Sequence, residues 1–354
     1  MKILAINPGS TSTKIAAYLN ETCLWNHVIE HLASEINSFA CVGDQYKYRM
    51  ELVLKLLEEK ETPLKCFDGI VGRGGLLKPL VGGTYLVNDD LVRTLHNAPG
   101  GDHASNLGGI IAYHLGRSIN VPVYIVDPPS VDEMEPVARL SGLPELPRMS
   151  LSHALNMKAV ARKVADEVGR NYQDLNLIVS HLGGGISVAP HCRGKMIDVN
   201  NANNEGPYSL ERCGTLPAYH LVKLCFSGMY TEKEVLTKIN KEGGLFAYLG
   251  TKDGRVAEKR MNEGDPLAKL ILEGLCYQVA KEIGAMATVL AGEVDHIVLT
   301  GGLAHSKYIT REITRRVSFI APVRVVPGES EMEALALGAL RVLNGQENAL
   351  TYEV

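Results

Sequence analysis

The sequence has no excess of charge of either sign, since 36 Lys and Arg set against 40 Asp and Glu leave a net charge of -4. A nucleic-acid partner would call for a basic surface, so that class is not expected. There is no apolar run of membrane-spanning length either, and no membrane partner is expected. No signal peptide is expected, because Lys2 leads directly into an apolar strand, and the expected compartment is the cytosol. The seven cysteines (Cys23, Cys41, Cys66, Cys192, Cys213, Cys225, Cys276) contain no C-x-x-C pair, which removes the spacing of a zinc site or a disulfide framework. Reduced, mostly buried thiols are expected. What remains is an ordinary globular composition, 45% hydrophobic and 21% charged, over 354 residues, a length that accommodates two domains.

The first stretch with chemical character is the start, MKILAINPGSTSTKI. Residues 3–6 read as a buried strand and 15–19 as a second strand paired to it. The linker Asn7-Pro8-Gly9-Ser10-Thr11-Ser12-Thr13-Lys14 concentrates an amide, a glycine, four hydroxyls and a lysine, all donors to phosphate oxygens. Taken alone it is either a phosphate-binding hairpin or a solvated Ser/Thr-rich turn. Residues 23–30 supply a third strand, and 48–60 a helix with Met50, Val53, Leu54 and Leu57 at helical spacing. A strand over 67–72 ends in Arg73-Gly74-Gly75, which reads as a tight turn or as an arginine aimed into a cleft at the sheet's end. The stretch 76–95, broken by Gly82-Gly83, reads as an irregular insertion. A polar loop containing His103 leads into a helix over 107–117; His103 is either a surface residue or one facing an anion at the helix start. A buried strand over 121–126 delivers Asp127 at its carboxyl end, where α/β folds bind ligands. Pro128-Pro129 then marks a domain boundary.

The second half repeats this grammar. After a helix over 150–168 with His153 near its start, the strand 175–180 runs into His181-Leu182-Gly183-Gly184-Gly185-Ile186-Ser187-Val188, a hairpin whose glycines let the backbone approach a ligand. A third strand over 195–199, a loop holding Glu211 and Arg212, helices over 216–227, 233–240 and 266–290, and a strand 296–300 ending in Gly301-Gly302 follow. A strand over 323–326 and a helix over 332–343 close the chain. Two glycine-bearing hairpins, each opening a half-chain, imply an internal duplication with a nucleoside triphosphate between the halves.

These segments resemble the acetokinase family. Asn7 to Lys14 looks like the family's N-terminal signature, and Ser180 to Val188 resembles its second phosphate motif; the likeness runs nearly end to end. Gly72-Arg73-Gly74-Gly75-Leu76-Leu77, Asp102-His103-Ala104-Ser105-Asn106-Leu107-Gly108 and Val126-Asp127-Pro128 resemble the butyrate kinase branch, which includes branched-chain fatty acid kinases. The resemblance implies an α/β fold with the duplicated actin-like ATPase core of sugar kinases, heat-shock chaperones and actin, two ribonuclease H-like domains flanking a nucleotide cleft. The implied domains are 1–127 with 334–354, and 128–333. The implied reaction transfers the γ-phosphoryl group of ATP reversibly to butyrate or another short carboxylate, with Mg2+. The partners are ATP or ADP and the acid, and the assembly a homodimer or larger homo-oligomer.

Residue by residue, the resemblance puts Asn7, Ser10, Ser12 and Lys14 by the transferred phosphoryl group and its magnesium, Arg73 and Arg212 on the substrate carboxylate and γ-phosphate, and His153 beside the transferred group. His181 with Gly183, Gly184 and Gly185 falls near the ATP phosphates, His103 on the first domain's side, and Asp253 with Gly301 and Gly302 in the adenosine segments. Glu333 is the expected magnesium-side carboxylate, with Glu331 the alternative. A carboxylic acid is ionised at neutral pH, so Asp127 is expected to hold magnesium rather than to act as a base. Acetate kinases typically read His-Arg-Val-Val-His-Gly-Gly where this chain has Gly69-Ile70-Val71-Gly72-Arg73-Gly74-Gly75, and the missing side chain at Gly72 is expected to open a pocket for a longer acyl chain. A kinase for acetate, propionate, isobutyrate or isovalerate is the near alternative. A non-catalytic, nucleotide-switched actin-like protein is the distant one.

Overall fold

The computed structural model describes residues 1–353. The chain forms two compact units, Met1–Val131 with Ser330–Val354, and Asp132–Glu329, rather than dividing at 127/128 and 333/334. Local bonds explain the offset. Ser130 Oγ accepts the Leu77 N–H at 2.7 Å and Val131 bridges to Leu80, which keeps the segment after Asp127 in the first unit.

The first unit begins with β1 (Lys2–Pro8), β2 (Ser12–Leu19) and β3 (Thr22–Glu30). It continues through α1 (Ala33–Ile36), α2 (Tyr46–Glu59), β4 (Gly69–Arg73), β5 (Thr84–Leu86), α3 (Asp89–Asn97), α4 (Asn106–Ile119) and β6 (Val123–Val126). The stretch expected to be irregular therefore holds β5 and α3. Asn88 Oδ1 caps α3 by accepting the Leu91 N–H at 2.8 Å, while Leu91 and Leu95 point inward. In the second unit lie α5 (Ala154–Glu167), β7 (Asn176–Leu182), β8 (Ile186–Cys192), β9 (Lys195–Met196) and α6 (Ala218–Cys225). Then come α7 (Glu232–Asn240), α8 (Gly244–Leu249), α9 (Gly254–Asn262), α10 (Pro266–Val289), β10 (His296–Gly301), α11 (Lys307–Val317) and β11 (Val323–Pro327). The chain returns to the first unit with α12 (Glu331–Leu343) and β12 (Leu350–Thr351). The expected third strand of the second half stops at Met196, and α5 starts at Ala154 rather than Ser150.

The two sheets share one plan. In the first, the order is β12-β5-β6-β4-β1-β2-β3; in the second, β11-β10-β7-β8-β9. In each, an antiparallel meander (β1, β2, β3 or β7, β8, β9) meets two further strands parallel to its first (β4, β6 or β10, β11). The first unit adds β5 and β12 at its edge. This is the duplicated actin-like α/β core.

Each first strand is buried on both faces, as a strand covered by helices on both sides must be. In the first unit Ile6, Ile15, Ile70, Leu107, Ile110 and Leu115 form the centre of one apolar cluster. In the second, Ile178, Val188, Leu272, Leu275, Val279 and Leu299 form another. Of the seven thiols only Cys276 is buried, and Cys23 and Cys225 are exposed, so the expectation of mostly buried cysteines is corrected. Those positions lie on outward faces of a strand and a short helix. No described helix is long and apolar enough to cross a membrane.

Candidate active site

In the first unit, three neighbouring parallel strands end side by side. The register pairs Ile6 with Gly72 and Arg73 with Val126, so Asn7, Arg73 and Asp127 emerge at the carboxyl ends of β1, β4 and β6. Asn7 is also the ladder partner of Lys14, which puts the amide and the lysine on one face of the hairpin. Asn7 Nδ2 donates to Glu331 Oε2 at 2.7 Å, and Arg73 Nη2 lies 3.5 Å from Glu331 Oε1. Arg73 is only 9% exposed, and its Nη1 has no acceptor among the described residues. A buried guanidinium with an unmet donor is costly, and an arriving anion would relieve it.

Glu331 is thus the carboxylate of this cluster. Glu333, the expected magnesium-side carboxylate, is exposed, because two residues along a helix turn a side chain to the other face. Asp127 is buried, with its Oδ1 accepting the Gly83 N–H at 2.7 Å and its own N–H donating to Gly83 O. His103 is exposed, with Nδ1 2.8 Å from Ser105 Oγ in the turn that starts α4. Ser10 and Lys14 are exposed and Ser12 half-buried on the hairpin.

The pocket expected at Gly72 is absent. A Cβ there would lie 2.1 Å from Gly108 O and 2.7 Å from Gly109 N, so the first turn of α4 already occupies the space the missing side chain vacates. Gly72 serves close helix-strand packing.

In the second unit, His153 stands at the start of α5 with Nδ1 2.9 Å from Ser187 Oγ, and its ring stacks on His181 at 3.8 Å between centroids. His181 is held from both ends, by Asn156 Oδ1 at 2.8 Å on Nδ1 and by Glu329 Oε1 at 3.1 Å on Nε2. Gly185 explains its own identity: a Cβ would sit 2.2 Å from Arg212 Nη1 and 3.3 Å from His153 Cε1. Arg212 donates from Nη1 to Ala202 O at 2.9 Å. Burial lowers its pKa while Glu211 beside it opposes the shift, and it stays cationic at neutral pH. His153, His181, Gly185 and Arg212 therefore form one cluster. Gly184 adjoins it through its carbonyl, which accepts from Ser209 Oγ, and Gly183 abuts His181 Nε2.

Asp253 caps α9 and forms an ion pair with Arg255, whose hydrogen bonds hold its carboxyl down at about 2. The next residue, Gly254, packs on Leu303 in the turn after Gly301 and Gly302, and the space in front of Gly302 is open. Asp253, Gly301 and Gly302 are therefore neighbours.

Magnesium takes oxygen ligands, one or two from protein carboxylates with phosphates and waters completing the shell. No described group of three His, Cys, Asp or Glu could enclose a metal, as a structural site would require. The Glu331 carboxylate and the Asn7 amide at a strand end are the kind of sparse oxygen set that suits a nucleotide-bound ion.

One residue escaped the sequence reading. Arg49 of α2, 1% exposed, lies behind the β1–β2 turn and donates to Gly9 O, Ser12 O and Ser10 O at 2.8, 3.1 and 3.3 Å. Its position beside the apolar stripe of α2 was its only sequence signal.

The acetokinase family model matches residues 148–321. Butyrate kinase 2 of Clostridium acetobutylicum is 52% identical over 353 residues, covering 99% of both chains. Among solved structures, Porphyromonas gingivalis acetate kinase superposes with a TM-score of 0.80 at 18% identity over 97% of this chain and 99% of that one. A propionate kinase from Francisella tularensis gives 0.73 at 20% identity, over 95% and 98%. At these identities the two structures speak for the fold alone, whereas the full-length match at 52% identity speaks for kinship: the chain belongs to the acetokinase family.

Proposed function

We propose that the chain is a carboxylate kinase that transfers the γ-phosphoryl group of ATP reversibly to a short-chain fatty acid, with butyrate as the acid. The observation that carries this reading is the 52% identity to a butyrate kinase over 99% of both chains. In the first unit, the guanidinium of Arg73 binds the acid carboxylate or the equatorial phosphoryl oxygens through the donor that no described residue meets. Ser10, Ser12 and Lys14 surround the phosphoryl group from the hairpin. In the second unit, Arg212 and His153 bind phosphoryl oxygens, His181 with Gly183, Gly184 and Gly185 binds the nucleotide phosphates, and Asp253, Gly301 and Gly302 shape the adenosine segment.

The acid needs no proton removed, since its pKa lies well below neutrality. Asp127 is thereby freed from a base's task, and its hydrogen bond to Gly83 suits a turn-fixing residue that reaches magnesium through water. Glu331 and Asn7 would hold magnesium directly, and the ion would supply charge neutralisation on the phosphate oxygens. A guanidinium offsets the repulsion between an anionic nucleophile and an anionic phosphate, the main barrier that positioning alone leaves in place. His103 lines the first unit's side as a polar neighbour tied to Ser105. The family's assembly, a homodimer or larger homo-oligomer, is checked by light scattering.

Acyl phosphate trapped as hydroxamate, with ATP and magnesium and straight or branched acids of two to five carbons, tests the reading. Highest kcat/KM with butyrate supports it. Highest kcat/KM with acetate or a branched acid reassigns the substrate, and no hydroxamate with any acid refutes the reaction.

A further inference from the structure

Arg49 has no role in the reading above, yet its surroundings are unusual. A buried arginine ordinarily faces a carboxylate. Here no described ion pair includes Arg49, and all its donors go to neutral oxygens: Nε and Nη2 to Gln45 Oε1 at 3.1 and 2.8 Å, Nη1 to Thr13 Oγ1 at 3.1 Å, and the two terminal nitrogens to the carbonyls of Gly9, Ser10 and Ser12. Burial lowers its pKa to about 10, so it remains a cation at neutral pH. The fourth carbonyl of the turn, Thr11 O, accepts the His31 N–H at 2.8 Å, and Ser12 O also accepts the Gly9 N–H.

Peptide planarity turns this into a statement about the outer surface. In a trans peptide the C=O of one residue and the N–H of the next point in opposite directions. Drawing the carbonyls of Gly9 and Ser10 inward to the guanidinium therefore aims the N–H groups of Ser10 and Thr11 outward, and neither has a protein acceptor among the described residues. Consecutive outward amides make an anion-binding concavity, and an uncompensated buried cation behind them adds a field of the right sign.

We infer that Arg49 is a positioning residue of the phosphoryl-transfer site, holding the 9–12 turn in the conformation that presents the Ser10 and Thr11 amides to the phosphoryl group. This deepens the proposed carboxylate kinase reading and rests on it. Three carbonyls spread over one planar fork suit a guanidinium; a lysine ammonium at the same place cannot reach all of them.

The test compares wild type, Arg49→Lys and Arg49→Met in the hydroxamate assay, with activity normalised to folded protein by circular dichroism. The equilibrium affinity for ADP and the inhibition by nitrate, a planar mimic of the phosphoryl group in flight, are measured in parallel. The expected result is a kcat lowered about 10- to 100-fold in Arg49→Met and at least several-fold in Arg49→Lys, as for removal of oriented donors. ADP affinity is expected within twofold of wild type, and nitrate inhibition weakened in step with kcat. Wild-type kcat and nitrate inhibition per folded molecule in both variants would overturn the inference. If Arg49→Met does not fold, Arg49→Lys decides alone by the same criteria. An inactive wild type would instead refute the carboxylate kinase reading.

Discussion

Replacing Gly72 with alanine or valine separates two accounts of the same glycine. If the absent side chain leaves room for the substrate, a methyl group there shortens the acyl pocket and shifts preference toward acetate while the fold is untouched. The geometry predicts otherwise. The new Cβ would meet Gly108 O at 2.1 Å, Gly108 C at 2.3 Å and Gly109 N at 2.7 Å, all backbone atoms of α4. Reaching ordinary contact distance needs a separation of roughly 1 Å or more between β4 and α4. Both are pinned by fully buried residues, Ile70 and Val71 on one side and Leu107 and Ile111 on the other. The approach is reciprocal, since a Cβ on Gly108 would lie 2.4 Å from Arg73 O. Overpacking of this kind costs about 1–3 kcal/mol, with more from valine than from alanine. For a unit of this size that lowers Tm by about 2–12 °C. Arg73, the next residue, moves with the strand, so kcat falls for every acid together. Thermal melts and kcat/KM for acetate and butyrate measure both effects. A Gly72→Val protein that melts like wild type and has gained acetate over butyrate would refute the packing account and restore the pocket.

Arg73→Ala and Arg212→Ala should each lower kcat by about 10²- to 10³-fold, as for lost oxyanion donors, with ATP affinity changed little; near-normal turnover in steady-state assays would remove both from the site. Glu331→Gln should raise the magnesium concentration needed for half-maximal rate, whereas Glu333→Gln should leave it unchanged, as magnesium titrations would record. His31, buried against Thr13, has its pKa lowered to about 4 by desolvation and then by Arg49. The unfolded histidine binds its proton near pH 6.5, so its contribution is complete above that pH and is lost as pH falls toward 4. Urea melts at pH 7 and 5 should show a smaller loss of stability in His31→Gln than in wild type; equal losses would count against it.

Much of the fold was legible because its periodicities are strong. The two hairpins, the two strand pairs behind them and the long α10 all announce themselves through apolar runs broken by glycine or polar turns. What was missed has definite causes. The three residues of β5 are too few to show alternation, and its strand-like character comes from pairing with β6. Helix α9 begins at a cap, Asp253, a residue type that serves equally well as a ligand and so does not by itself mark a helix start. In the site, the strand-end residues Asn7, Arg73 and Asp127 follow from their place after apolar strands. The choice between Glu331 and Glu333 does not, since both sit in the first turn of one helix and only the direction of its packing distinguishes them. Arg49 was invisible because its partners are three main-chain oxygens, which every sequence possesses, and the neutral side chains of Gln45 and Thr13.

Asn7 and Glu331, joined by one hydrogen bond, stand 324 positions apart. During synthesis the hairpin emerges first and the carboxylate that completes its cluster nearly last. An amino-terminal fragment that ends before α12 leaves Asn7 and Arg73 without that carboxylate. A chain broken off before α12 lacks Glu331 whatever its earlier part does. The return of the tail to the first unit thus makes the Asn7, Arg73 and Glu331 cluster a property only of a chain translated through α12.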